Sequence, residues 1–129
     1  MAEKNVIRTD RAPGPYQGAP YNQAIEVGGL VFVAGQLGIS LETGELAGPG
    51  VAEQTEQLMV NLGAILDAAG SGLDKLVKTT VFLMDLADFA AMNEVYAKHV
   101  GDRPPARSTV QISGLPTGAL VEIEAIAHV

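Results

Sequence analysis

Residues 22–36, "NQAIEVGGLVFVAGQ", decide the fold. Two extended runs meet at Gly28-Gly29. A glycine pair between apolar runs signals a hairpin, because the favoured two-residue turns need positive φ at their centre. The second run, "LVFVAG" (30–35), is nearly all apolar, as a strand buried on both faces would be.

Before this hairpin, "KNVIRT" (4–9) has the composition of a short edge strand. "RAPGPYQGAPY" (11–21) is a loop whose prolines hold the preceding residues extended. After it comes "ISLETGELAGPG" (39–50), a loop with the turn pair Thr43-Gly44.

"VAEQTEQLMVNLGAILDAAG" (51–70) is the clearest helix. Leu58, Leu62, Ile65, Leu66 and Ala69 recur at spacings of three and four on one stripe. Glu53 and Glu56 suit its positive N-terminal end, and Gly70 its cap.

"KLVKTTVFLMD" (75–85) is β-branched and reads as a strand. "DLADFAAMNEVYAKHV" (85–100) reads as a second helix, with Asp85 as N-cap and Phe89, Met92, Tyr96 and Val100 turned inward. Strands "ARSTVQI" (106–112) and "LVEIEAIA" (120–127) close the chain, joined by "SGLPTGA" (113–119).

Strands mixed with two helices predict an α+β fold in one domain, residues 1–129, with a single sheet carrying both helices on one face. Several strands look apolar on both sides. A chain of 129 residues has no third layer to spare, so a second subunit is expected to cover the other sheet face.

Composition excludes several chemistries. There is no cysteine, hence no disulfide, thiol nucleophile or thiolate metal site. The net charge is −7 and the eight Lys and Arg are scattered, which disfavours a phosphate-binding surface for nucleic acid. No apolar stretch approaches the roughly 18 residues of a membrane span. "MAEKNVIRTDRAPGPY" (1–16) is polar and unlike a signal peptide, so a cytoplasmic location is expected. His99 and His128 are far apart with no spaced carboxylate partners, so no metal site is expected, and "GPG" (48–50) lacks the continuation of a phosphate loop. Ser108 and Ser113 have no triad partners.

One cation stands out. Arg107 follows Pro104-Pro105, and no Lys or Arg comes after it. On its strand, Arg107, Thr109 and Gln111 share one face, while Ser108, Val110 and Ile112 share a second that reads as mainly core. On the last strand, Glu122 and Glu124 share a face. These two strands are expected to be adjacent, which brings a guanidinium and two carboxylates close together. One reading is a surface ion pair worth about 0–1 kcal/mol. The other is an anchor for a small carboxylate ligand, since an Arg fork matches a planar carboxylate with two parallel hydrogen bonds. A nearby Glu could then orient or deprotonate a water. Tyr16 and Tyr21, in the Pro/Gly loop, either fold over an apolar patch or roof a pocket.

"APYNQAIEVGGLVFVAGQ" (19–36), "KTTVFLMDLADFAAMNEVY" (78–96) and above all "PPARSTVQISGLPTGALVEIEAIA" (104–127) resemble the RidA family, also called YjgF or L-PSP, the reactive intermediate/imine deaminases. The resemblance spans nearly the whole chain. It implies a fold like bacterial chorismate mutase, a homotrimer around a barrel-like core, and sites in the clefts between subunits. It further implies hydrolysis of 2-imino acids, such as 2-aminoacrylate and 2-iminopropionate, to 2-keto acids and ammonia without a cofactor. Arg107 matches the family's carboxylate-binding arginine and Glu122 the residue that positions water. Tyr21 matches the site tyrosine, fourteen residues before Gly35; Tyr16 has the wrong spacing. Gly35 and Asn93 match further pocket positions. Ala34 stands where many members have serine, and Thr109 where some have cysteine, departures that bear on substrate preference. Two other functions stay open: a non-catalytic, chaperone-like binder of small carboxylates, and the endoribonuclease activity ascribed to some relatives, against which the negative charge argues.

Overall fold

The computed structural model describes residues 3–129; Met1 and Ala2, the start of the polar N-terminal stretch, lie outside the described residues. Six strands form one mixed sheet: β1 (Asn5–Ile7), β2 (Ala24–Val27), β3 (Leu30–Leu37), β4 (Leu76–Leu83), β5 (Ala106–Gln111) and β6 (Val121–His128). Their spatial order is β1-β2-β3-β6-β4-β5. All pairs are antiparallel except β4 with β5, which are parallel. The helices α1 (Val51–Ala68) and α2 (Phe89–Val100) pack on one face.

The predicted hairpin is β2-β3, with Gly28 and Gly29 at φ of 59° and 81°. β1 is the short edge strand read from "KNVIRT". Gly70 takes φ of 76° past α1, where the Gly70 and Ser71 N–H groups donate to Asp67 and Leu66 carbonyls. Asp85 caps the 3₁₀ turn that leads into α2, accepting from the Ala87 N–H at 2.8 Å.

The predicted α1 stripe is the core. Leu58, Leu62, Ile65 and Leu66 are fully buried, each worth about 1.5–3 kcal/mol. Met59 joins them against Val31, Val33, Val81, Ile123, Ala125 and Ala127 of the sheet. Met92, Tyr96 and Val100 of α2 are buried as predicted, but Phe89 is 43% exposed.

Two expectations need correction. Within the single chain, Val31 and Val33 of β3 are buried, whereas Leu30 and Phe32 are exposed on the face away from the helices, the face a second subunit was expected to cover. On β5 the faces are reversed, since Ser108 and Val110 lie on the open face and Arg107 and Thr109 turn toward the helix layer. The strands of Arg107 and Glu122 are not adjacent either, because β4 runs between them. Both local patterns were equally compatible with either partner order, which depends on long-range pairing.

Candidate functional site

Two clusters emerge, one on each face of the sheet. The first surrounds Glu122. The β3–β6 register shifts between Val33 and Gln36, a bulge at Ala34-Gly35. Here Gly35 leaves room for the Glu122 carboxyl: a Cβ at residue 35 would sit 2.7 Å from Glu122 Cδ and 2.9 Å from Oε1. Glu122, Gly35, Tyr21, Tyr16 and Pro116 line a cavity of about 100 Å³. Burial raises the Glu122 pKa above the ordinary 4.5, and the like charge of Glu124 raises it further.

The cavity's rim is held by local bonding. Buried Gln23 donates to the carbonyls of Thr9, Ala12 and Pro13 and accepts from the Thr9 N–H at 2.7 Å, which ties the Pro/Gly loop to β2. The Tyr21 hydroxyl accepts from the Tyr16 N–H at 2.7 Å. Tyr16, which spacing set aside, therefore lines the same cavity and positions Tyr21. Ala34, one residue before Gly35, faces a different, open depression on the sheet with Phe32, Lys78, Thr80 and Glu124.

The second cluster surrounds Arg107, on edge strand β5. Its guanidinium carbon lies 4.9 Å from the Tyr96 ring centre and 5.5 Å from that of Phe89. Phe89, Asn93 and Tyr96 follow at spacings of four and three along one face of α2. Asn93 Oδ1 is buried without a hydrogen-bond partner, a cost of about 1–3 kcal/mol unless a donor arrives. The ion pairs among the described residues are Arg11–Asp67 and His99–Glu56, so Arg107 has no carboxylate partner. The surface ion pair considered from the pattern does not form. His99 does find a carboxylate, Glu56, at 2.9 Å across the helix pair, contrary to the reading that it lacks one.

Of the seven predicted site residues, the single chain thus gathers Glu122, Gly35 and Tyr21 in one cavity, and Arg107 with Asn93 in another place. Thr109 stands two residues beyond Arg107 on its face, paired with Val81. Sequence reasoning missed Phe89 as a site neighbour and Tyr16 as a cavity wall. Spacing put Phe89 on the inner stripe with the core residues of α2, so its place beside Arg107 had no local signal beyond an aromatic near the helix start.

Residues 11–129 match the family model described as endoribonuclease L-PSP. A RutC family protein of Pyrococcus abyssi is 50% identical, with 97% of each chain covered. The human 2-iminobutanoate/2-iminopropanoate deaminase is 42% identical over 96% of this chain and 89% of its own. The crystal structure of Escherichia coli TdcF with bound serine superposes with a TM-score of 0.88 at 40% identity, covering 97% of this chain and 98% of that one. With one fold, one bulged glycine beneath a glutamate and a family match over nearly its full length, the chain belongs to the RidA/YjgF/L-PSP family.

Proposed function

We propose that the protein hydrolyses 2-imino acids to 2-keto acids and ammonia, at sites completed between copies of the chain in a homotrimer. The observation that carries this reading is an arginine without a carboxylate partner, beside a cradle of aromatic rings, in a chain whose half-buried glutamate lies over a glycine. Arg107 binds the substrate carboxylate through its fork of donors. Glu122, from a neighbouring copy, accepts a proton from water as the oxygen attacks the C=N carbon. Glu122 returns that proton to the nitrogen to give the carbinolamine, then relays the hydroxyl proton to the same nitrogen as the C–N bond breaks, leaving the carbonyl and ammonia. A raised carboxylate pKa suits this role, since a base works best near the operating pH.

The names of the human relative and of serine-bound TdcF support a small amino-acid-derived substrate with a carboxylate. The exposed Leu30, Phe32 and Val110 on the open sheet face support burial against other copies. Asn93 Oδ1, on the same face of α2 as Phe89 and Tyr96, is an acceptor left unpaired in the single chain.

The decisive assay couples the protein to a pyridoxal-phosphate threonine or serine dehydratase and follows keto-acid release. Acceleration by the wild type and none by Arg107→Ala supports the reading. Unchanged or slowed release with the wild type would instead indicate a binder of small carboxylates.

A further inference from the structure

We propose that Phe89 and Tyr96 are positioning residues that hold the Arg107 guanidinium flat for its carboxylate ligand, with Thr79 locking Tyr96 in place; this rests on the role of Arg107 proposed above. Three contacts close a loop. Thr79 is the register partner of Arg107 on the adjacent strand. Its hydroxyl and that of Tyr96 share a buried hydrogen bond of 2.6 Å. The Tyr96 ring, so fixed, lies 4.9 Å from the guanidinium carbon, and Phe89, about two helical turns earlier, lies at 5.5 Å. Both distances fall within the range in which a ring face attracts a cation.

Rings do what a carboxylate could not do here. They orient the cation without neutralising its charge; the Tyr96 hydroxyl engages at most part of the fork, so the charge and the remaining N–H donors are left for an anionic ligand. An Asp or Glu in the same place would compete with the substrate. Phe89 has little else to do: it is 43% exposed and outside the core cluster, which Met92, Tyr96 and Val100 of α2 join without it.

The test measures steady-state imine hydrolysis and, separately, the Kd for pyruvate, the keto-acid product of 2-iminopropionate. Phe89→Leu keeps apolar volume on an exposed site and removes the ring. It is expected to raise KM and the pyruvate Kd together by about 3–30-fold, with kcat within about twofold. Phe89→Tyr restores both values. Tyr96→Phe and Thr79→Val each free the second ring from its lock; each is expected to raise KM by a smaller factor, and the double variant no further than either alone. Unchanged KM and Kd in Phe89→Leu, or a fall in kcat at constant KM, overturns the proposal while Arg107→Ala is inactive. If Arg107→Ala itself retains full activity, the function assigned to Arg107 falls instead.

Discussion

Arg107 and Glu122 project from opposite faces of one sheet. Arg107 pairs with Thr79 on β4 and Glu122 with Phe82, three residues further along the same strand. The odd offset reverses the face, and two strand spacings with three residues of rise separate their backbones by about 14 Å. Within one chain they cannot grip one small molecule.

Complementation checks this separation. Arg107→Ala and Glu122→Ala are each expected to be inactive, with losses of roughly 10²–10⁴-fold in kcat/KM. Co-expressed in equal amounts, they should recover about a quarter of wild-type activity, because a site drawing one residue from each of two copies then finds both native. Sedimentation should give three times the 13.4-kDa chain mass. Two inactive variants that stay inactive when mixed, in a trimer shown to be heteromeric, would place both residues in one chain's site.

Glu122→Gln should stabilise the protein at neutral pH. The folded-state pKa of Glu122 is raised by burial and by Glu124, so its ionised form opposes folding. Its favourable contribution is complete below the ordinary 4.5 and is lost as pH rises through the folded value. A higher Tm for the variant at pH 8, shrinking to no difference near pH 4, is the expected melting profile.

Glu124→Gln should move the acidic limb of the kcat profile to lower pH. Glu124 is exposed and outside the cavity around Glu122, yet its charge raises the Glu122 pKa. Removing that charge lets Glu122 ionise in more acidic solution, where it becomes competent as a base. High salt should shrink the shift, since the coupling crosses partly exposed surface.

Gly35→Ala should separate folding from chemistry. The three atoms nearest the new methyl all belong to the flexible end of Glu122, so the protein is expected to fold with a modest stability change. The displaced carboxylate is expected to lower kcat by about 10–10²-fold, the scale on which a roughly 1 Å misplacement acts. Gly38→Ala makes the contrast, because its Cβ would collide with the Gln54 backbone of α1. That variant should lose about 1–3 kcal/mol in urea unfolding.

Most of the elements were legible from residues alone. The Gly28-Gly29 hairpin, the α1 stripe around Leu58 and Leu62, and the Asp85 cap each depend on local spacing and backbone freedom. Residue types also marked Arg107, with Glu122 and Glu124, as worth attention; it was the family resemblance that singled out Glu122 from the two acids.

Only the tertiary structure decided what these residues face. Alternation along β5 separates two faces but does not say which one meets the helices, and nothing local reveals that β4 runs between β5 and β6. The bulge that brings Gly35 beneath Glu122 and the ring cradle that α2 carries to Arg107 arise from pairings between segments far apart in the chain. Side-chain periodicity is set by the backbone within a few residues, whereas strand order and register are set by which buried surfaces fit together once the whole chain has collapsed.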